Sequence, residues 1–161
     1  MGATAYSATF CATPAKSGAV LALSMPMPSQ SLAKSVLVVE DEQSIRDVLV
    51  ELFDVDGNAV IGAELLPDAL ERLRMQRFDL IITDLRLGAK RDGGLQVMAL
   101  AGMLSPDATV LVLTAYPDDS NRQASLRLGA LHFLEKPVDL ATIAQHAATA
   151  GVRTAFATVL Q

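Results

Sequence analysis

The sequence predicts an α/β protein built on a doubly wound, parallel sheet of five strands with helices on both faces. Five short apolar segments alternate with five helical patterns after residue 33, and such alternation is typical of a parallel sheet. The strand segments are apolar at consecutive positions, as expected of strands that are buried on both faces.

The first 33 residues differ in composition from the rest of the chain. All 18 acidic residues follow position 33, and Ala, Ser, Thr and Pro are frequent before it. We expect residues 1–33 to be a disordered leader or the product of a misassigned start codon. Residues 34–150 should form the folded domain, and residues 151–161 a C-terminal tail or an extension of the last helix. No apolar run approaches the roughly 20 residues that span a bilayer.

The first strand and helix are predicted from a change in periodicity. Val36–Val39 is a short aliphatic run rich in β-branched residues, as in a buried strand. The apolar residues that follow recur at helical spacing: Ile45, Val48, Leu49, Leu52 and Phe53. Asp56-Gly57-Asn58 is a turn signal that ends this helix.

The next two strand–helix pairs follow the same rules. Ala59–Ala63 is the second strand, and Pro67 opens the second helix because proline suits a first turn. Leu80–Thr83 is the third strand. The third helix runs from about Leu95 and ends before Ser105.

The last two pairs are predicted from their caps as well as from their apolar runs. Thr109–Leu113 is the fourth strand, Ser120 is the expected cap of the fourth helix, and Gly129 its end. Leu131–Leu134 is the fifth strand, and Asp139 caps the last helix.

Polar residues follow four of these strands. The first strand runs into Glu40 and Asp41, the third into Asp84, the fourth into Thr114 and the fifth into Lys136. The carboxyl ends of parallel strands meet at one edge of the sheet, where ligands bind in such folds. These side chains should therefore lie together.

That combination of groups indicates a particular chemistry. Carboxylates held close together repel one another, and Mg²⁺ resolves the conflict because it prefers oxygen ligands and binds carboxylates together with phosphate oxygens. Lys136 adds a positive charge for a phosphoryl group, and Thr114 a hydrogen-bond donor. Asp84 is then the natural nucleophile, because a carboxylate can form an aspartyl-phosphate where such charges offset its own.

Four segments resemble the signature blocks of response-regulator receiver domains. They occur in order, within about Ser35 to Ala150, and read VLVVEDE (36–42), DLIITDLRL (79–87), LTAY (113–116) and GALHFLEKP (129–137). The resemblance implies a flavodoxin-like fold with strand order 2-1-3-4-5 in three α/β/α layers.

The resemblance also implies a role for each acidic residue. Asp84 is the phosphoacceptor and a ligand of Mg²⁺, for which Mn²⁺ can substitute. Asp41 binds the metal directly, Glu40 binds it through water, and the backbone carbonyl of Arg86 completes the protein's ligands.

The remaining residues of the edge have implied roles in phosphoryl binding and switching. Lys136 pairs with the phosphoryl group, and the peptide bond before Pro137 is cis. Thr114 and Phe133 form a switch pair, in which the hydroxyl moves towards the phosphoryl group and the aromatic ring turns inward.

The loop after Asp84 departs from the family pattern. Receivers commonly carry a proline four residues after the phosphoacceptor and a glycine four residues further on. Here Gly88 takes the proline position and Gly93-Gly94 comes late, which indicates a two-residue insertion within residues 89–92. Arg86 and Tyr116, each two residues after a reacting group, are expected to shield the phosphoryl group from water and slow its loss.

These features predict a phosphorylation-dependent switch of a two-component or phosphorelay system, and not an enzyme beyond Mg²⁺-dependent self-phosphorylation and autodephosphorylation. The expected phosphodonor is a sensor histidine kinase or a histidine phosphotransfer protein, with an unknown output partner and a homodimer through the last helices as a further option. Three alternatives are the receiver half of a truncated DNA-binding regulator, a pseudo-receiver, and a haloacid-dehalogenase-like phosphatase. The phosphatase would require an Asp at position 86, where this chain has Arg86.

Composition restricts the other function classes. The formal net charge of −5 argues against direct binding of nucleic acid or of anionic membranes, because phosphate neutralisation needs clustered Lys and Arg. Cys11 is the single cysteine, which excludes an internal disulfide. We expect a cytoplasmic protein.

Overall fold

A computed structural model describes residues 33–156. The predicted leader, apart from its last residue, and residues 157–161 of the predicted tail lie outside these residues. The strands are β1 (Lys34–Val39), β2 (Asn58–Ala63), β3 (Leu80–Asp84), β4 (Thr109–Thr114) and β5 (His132–Glu135). The helices are α1 (Gln43–Phe53), α2 (Leu66–Met75), α3 (Gly93–Leu104), α4 (Asp119–Arg127) and α5 (Leu140–Thr149). None of these helices is both long and apolar enough to cross a membrane.

All five strands belong to one parallel sheet. Their order is β2-β1-β3-β4-β5, as the resemblance implied. The register pairs Val39 of β1 with Thr83 of β3, and Thr114 of β4 with Glu135 of β5. The residues that follow these strands are therefore brought to the same edge.

Alternate residues of the strands face two separate hydrophobic cores. Leu37 and Ile81 point into a core with residues of α2 and α3, whereas Val38 and Ile82 point into one with residues of α1 and α5. All five residues of β3 are buried. The prediction of strands covered on both faces is confirmed for β1, β3 and β4, whose sequences are apolar without alternation, whereas the edge strands β2 and β5 are only partly buried.

Most of the predicted helix ends are confirmed. Pro67 lies in the first turn of α2. The carboxylate of Asp139 accepts a hydrogen bond from the Ala141 amide at the start of α5. Gly129 follows the end of α4 with φ of 92°, a conformation that glycine adopts without strain.

The starts of two helices, α4 and α3, differ from the prediction by two residues, and several strand ends differ by one or two. Asp118, not Ser120, caps α4, and its Oδ1 accepts a hydrogen bond of 2.7 Å from the Asn121 amide. A carboxylate at this end of a helix also interacts favourably with the helix dipole, and Ser120 lies inside the first turn. Helix α3 begins at Gly93, two residues before the predicted Leu95.

The chain turns after α5 and packs against the turn before β2. Gly151 has φ of 70°, and Val152 is 2% exposed. The side-chain amide of Asn58 donates hydrogen bonds of 2.9 Å to the carbonyls of Phe53 and Arg153. Residues 152–154 are not helical, so of the two forms expected for the tail, they do not continue α5.

Candidate functional site

Lys136 connects two carboxylates that come from different strands. Its Nζ lies 2.6 Å from Oε2 of Glu40 and 2.7 Å from Oδ2 of Asp84. Glu40 follows β1, Asp84 ends β3 and Lys136 follows β5. Their side chains are only 2%, 10% and 15% exposed, so this group of charges is largely shielded from solvent.

Burial and pairing change the ionisation of two of these groups. Burial raises the pKa of Glu40, and the hydrogen bond and charge of Lys136 offset this only in part. Burial also disfavours the charged form of Lys136, but its hydrogen bonds to Asp84 and Glu40 outweigh this and raise the pKa of the ammonium group. Lys136 is therefore a fixed positive charge at neutral pH.

A third carboxylate, that of Asp41, lies beside this pair. Carboxylate oxygens of Glu40, Asp41 and Asp84 lie within 4.8 Å of one another. Lys136 offsets one negative charge among three, which leaves an excess that a divalent cation can balance. Because Mg²⁺ prefers such hard oxygen donors, the donor set fits this ion.

The backbone of the β3–α3 loop contacts both aspartates. The Arg86 amide donates a hydrogen bond of 3.0 Å to Oδ1 of Asp84, and the Gly88 amide donates one of 3.0 Å to Oδ2 of Asp41. Sequence reasoning missed the second contact. The glycine at the family's usual proline position and the predicted insertion indicated a changed loop, but neither identifies this amide as a donor.

Residues Leu87–Lys90, which overlap the predicted insertion within residues 89–92, form a closed turn. The Leu87 amide donates to the Lys90 carbonyl at 3.0 Å, and the Lys90 amide donates to the Leu87 carbonyl at 3.1 Å. Gly94 then passes close to the end of β3, because a Cβ at this position would lie 2.2 Å from the carbonyl oxygen of Asp84. Glycine at position 94, in the first turn of α3, thus meets a steric requirement that the sequence alone did not reveal.

The two residues of the predicted switch pair differ in burial. Thr114 is fully buried, and its Oγ1 accepts a hydrogen bond of 3.2 Å from the Tyr116 amide. Phe133 is partly buried and packs against the core shared with α2 and α3. The guanidinium carbon of Arg122, on α4, lies 5.2 Å from the centroid of the Phe133 ring.

An open cavity of about 1090 Å³ lies over these groups. Glu40, Asp84 and Lys136 line it, together with Arg86 and Tyr116. The Arg86 guanidinium carbon lies 3.7 Å from the centroid of the Tyr116 ring. The peptide bond between Lys136 and Pro137 is cis, as the resemblance implied.

Comparison with known proteins gives a consistent result. A family model described as the response regulator receiver domain matches residues 36–148. The response regulator protein PilR of Pseudomonas aeruginosa is 34% identical over 118 residues, which cover 73% of this chain and 26% of PilR. Sporulation initiation phosphotransferase F of Bacillus subtilis is 28% identical over 107 residues, which cover 66% of this chain and 85% of that protein.

Solved structures have the same fold. A response regulator of Burkholderia pseudomallei, solved with a phosphorylated aspartic acid, a calcium ion and citrate, is 31% identical with a TM-score of 0.63, over 79% of this chain and 71% of that one. A receiver domain protein of Methanospirillum hungatei has a TM-score of 0.67 at 24% identity, over 72% of this chain and 91% of that one. The chain spans less than half the length of several curated relatives, from 22% to 42%.

Proposed function

Because this chain belongs to the response regulator receiver family, whose members are signalling switches, we propose that Asp84 accepts a phosphoryl group from a phosphohistidine donor. In this transfer the bond between phosphorus and the histidine nitrogen breaks, and a bond forms between phosphorus and an Asp84 carboxylate oxygen. The observation that carries the proposal is the contact of Asp84 with Lys136, at 2.7 Å, within a cluster of three carboxylates. The phosphorylated aspartic acid in the Burkholderia pseudomallei relative supports it.

The residues around Asp84 suit this reaction. Glu40, Asp41, Asp84 and the backbone carbonyl of Arg86 would hold Mg²⁺, or Mn²⁺ in its place. When bound, the ion would offset the negative charge of the phosphoryl oxygens. Lys136, already 2.7 Å from an oxygen of Asp84, can donate a hydrogen bond to an incoming phosphoryl oxygen.

We propose that phosphorylation changes the positions of Thr114 and Phe133. Its hydroxyl accepts a hydrogen bond from the Tyr116 amide and can turn to donate one to a phosphoryl oxygen on Asp84. Movement of Thr114 would leave space behind it, and the partly buried ring of Phe133 would turn inward to fill that space. The surface formed by β5 and the last helices would then change.

The proposal includes the phosphodonor, the output partner and the cellular location of the protein. The donor is a sensor histidine kinase or a histidine phosphotransfer protein, the output partner binds the changed surface, and a homodimer through the last helices is one form of that output. The place of action is the cytoplasm, with no direct contact to nucleic acid or membrane. The alternative of a truncated DNA-binding regulator adds an output domain and leaves the chemistry at Asp84 unchanged.

Phosphorylation by a small donor tests the proposal. The protein is incubated with Mg²⁺ and a small phosphodonor, and beryllofluoride serves in parallel as a mimic of the phosphoryl group. Wild type should form a phosphoprotein, Asp84→Ala should form none, and Asp107→Ala, which changes an exposed aspartate before β4, should be labelled like wild type. Absence of label on wild type, or undiminished label on Asp84→Ala, would refute the proposal.

A further inference from the structure

We infer that the turn Leu87–Lys90, which overlaps the predicted insertion, positions Asp41 for cation binding through the backbone amide of Gly88. The inference rests on the proposed function, since it assigns a positioning role within the same cation site. It concerns the loop in which this chain departs from its family.

The turn is held in place independently of the cation site. Leu87 and Lys90 exchange two backbone hydrogen bonds, of 3.0 and 3.1 Å. The Leu87 side chain is 3% exposed and packs so closely on Gly93 that a Cβ there would lie 3.0 Å from Cβ of Leu87. The Gly88 amide is therefore presented from a fixed backbone.

The position of the Asp41 side chain depends on the Gly88 amide, whereas Glu40 and Asp84 are held by other contacts. Glu40 and Asp84 are buried and bonded to Lys136. Asp41 is exposed, and within residues 33–156 its carboxylate accepts a hydrogen bond from Gly88 alone. Without that bond the Asp41 side chain would be free to turn away from the other two carboxylates.

The hydrogen bond leaves room for a cation. Oδ2 of Asp41 accepts from the Gly88 amide, and Oδ1 has no partner within the described part of the chain. An oxygen of Asp41 already lies within 4.8 Å of oxygens of Glu40 and Asp84. A side chain ordered before binding loses less conformational entropy on binding, which raises affinity. By linkage, a bound cation must in turn stabilise the bond between Gly88 and Asp41.

Two substitutions at Gly88 distinguish the effect of losing the backbone N–H group from the effect of adding a side chain. Gly88→Pro removes the N–H group and cannot adopt the φ of 59°. Gly88→Asn keeps the N–H group, tolerates positive φ, and meets no steric obstacle, because a Cβ at Gly88 has no atom within 4 Å. Mg²⁺ is titrated into the unphosphorylated full chain, and its Kd is measured from amide chemical shifts. Gly88→Pro should weaken Mg²⁺ binding about fivefold, and Gly88→Asn should stay within about twofold of wild type.

Amide exchange in the wild type gives a second measurement that needs no folded proline variant. Mg²⁺ should slow exchange of the Gly88 amide, and Asp41→Ala should speed it. The Asn58 amide, which donates to the Val55 carbonyl at 3.0 Å in a distant turn, should respond to neither change and serves as the reference.

The outcomes distinguish this inference from the proposed function. Unchanged Mg²⁺ affinity in a folded Gly88→Pro variant, or Gly88 exchange that responds neither to Mg²⁺ nor to Asp41→Ala, overturns the inference and leaves phosphorylation at Asp84 standing. Wild type that binds no Mg²⁺ at millimolar concentration overturns both the inference and the proposed cation site.

Discussion

The guanidinium carbon of Arg86 lies 3.7 Å from the centroid of the Tyr116 ring, and this contact joins the loop after β3 to the loop after β4. Tyr116 is 57% exposed, so the contact lies on the solvent side of the cavity. A cation–π pair at an exposed site contributes about 0.5–1 kcal/mol. That energy is enough to keep the two side chains together over Asp84 for most of the time.

Loss of this pair should shorten the lifetime of the phosphoprotein. We expect Arg86→Ala/Tyr116→Ala to dephosphorylate about two- to fivefold faster than wild type, because water then reaches the phosphoryl group more often. The measurement is decay of the label after the phosphodonor is removed. Arg77→Ala, which changes an exposed arginine before β3, is the control. Decay that speeds little in the double variant would count against shielding by Arg86 and Tyr116.

Two glycines of α3 should respond to alanine in opposite ways. In Gly94→Ala the new Cβ would lie 2.2 Å from the Asp84 carbonyl oxygen, and the strain should cost about 1–3 kcal/mol in the free energy of unfolding. In Gly102→Ala the Cβ meets nothing within 4 Å, so the better helix propensity should add about 0.5–1 kcal/mol. Urea denaturation measures both. Equal effects of the two substitutions would contradict the close approach at Gly94.

An ion pair at the opposite end of the sheet should make stability depend on pH. Oδ1 of Asp79 accepts from Lys34 Nζ, and Oδ2 accepts from the Ser35 amide, both at 2.9 Å. Partial burial raises the pKa of Asp79, but these two bonds and the charge of Lys34 outweigh it, so the pKa lies below its usual value of 3.8. The ionised form is favoured on folding. The ionised Asp79 carboxylate therefore contributes to the free energy of unfolding above pH 4, and this contribution is lost as pH falls through the folded-state pKa of Asp79.

Asp79→Asn tests this dependence. The two side chains are 34% and 37% exposed, so solvent screens the pair and the expected loss at pH 7 is only about 1 kcal/mol. The difference from wild type in denaturation midpoints should shrink steadily below pH 4. Asp107→Asn, at an exposed aspartate, should show neither the loss nor its pH dependence. A loss at Asp79 that is constant with pH would rule out the ionised pair as its source.

The segment after α5 should contribute to stability although it lies outside the sheet and helices. Val152 is 2% exposed and belongs to the core shared with α1 and α5, so Val152→Ala should destabilise the protein by about 2 kcal/mol. Phe156 is 45% exposed, and Phe156→Ala should change the free energy of unfolding by less than about 0.5 kcal/mol. Thermal or urea unfolding compares the two. A neutral Val152→Ala would mean that the segment is not packed in solution.

The order of elements could be predicted from sequence because periodicity and caps are local signals. Apolar runs such as Leu80–Thr83 and caps such as Asp139 depend on neighbouring residues alone. The boundary at α4 was predicted wrongly because Asp118 and Ser120 are both good caps. Which of them caps the helix depends on where the chain leaves β4, and that is not a local property.

Much of the candidate site could also be predicted, because parallel strands bring their carboxyl ends to one edge. This placed Glu40, Asp84 and Lys136 together before any distance was known. The contact between Gly88 and Asp41 could not be predicted, since it joins two loops across 47 residues through a backbone amide. Backbone donors have no sequence signature, and the φ that directs this one is a property of the folded turn.

The separation of the site residues along the chain has a consequence for protein synthesis. Lys136 lies 52 residues after Asp84 and 96 after Glu40. A ribosome therefore synthesises Asp84 long before Lys136, and β5 must join the sheet before the two side chains can meet. An unfinished or prematurely ended copy that lacks β5 carries Asp84 without the ammonium group that pairs with it. The ion pairs at the carboxyl edge of the sheet thus form only after translation has passed β5.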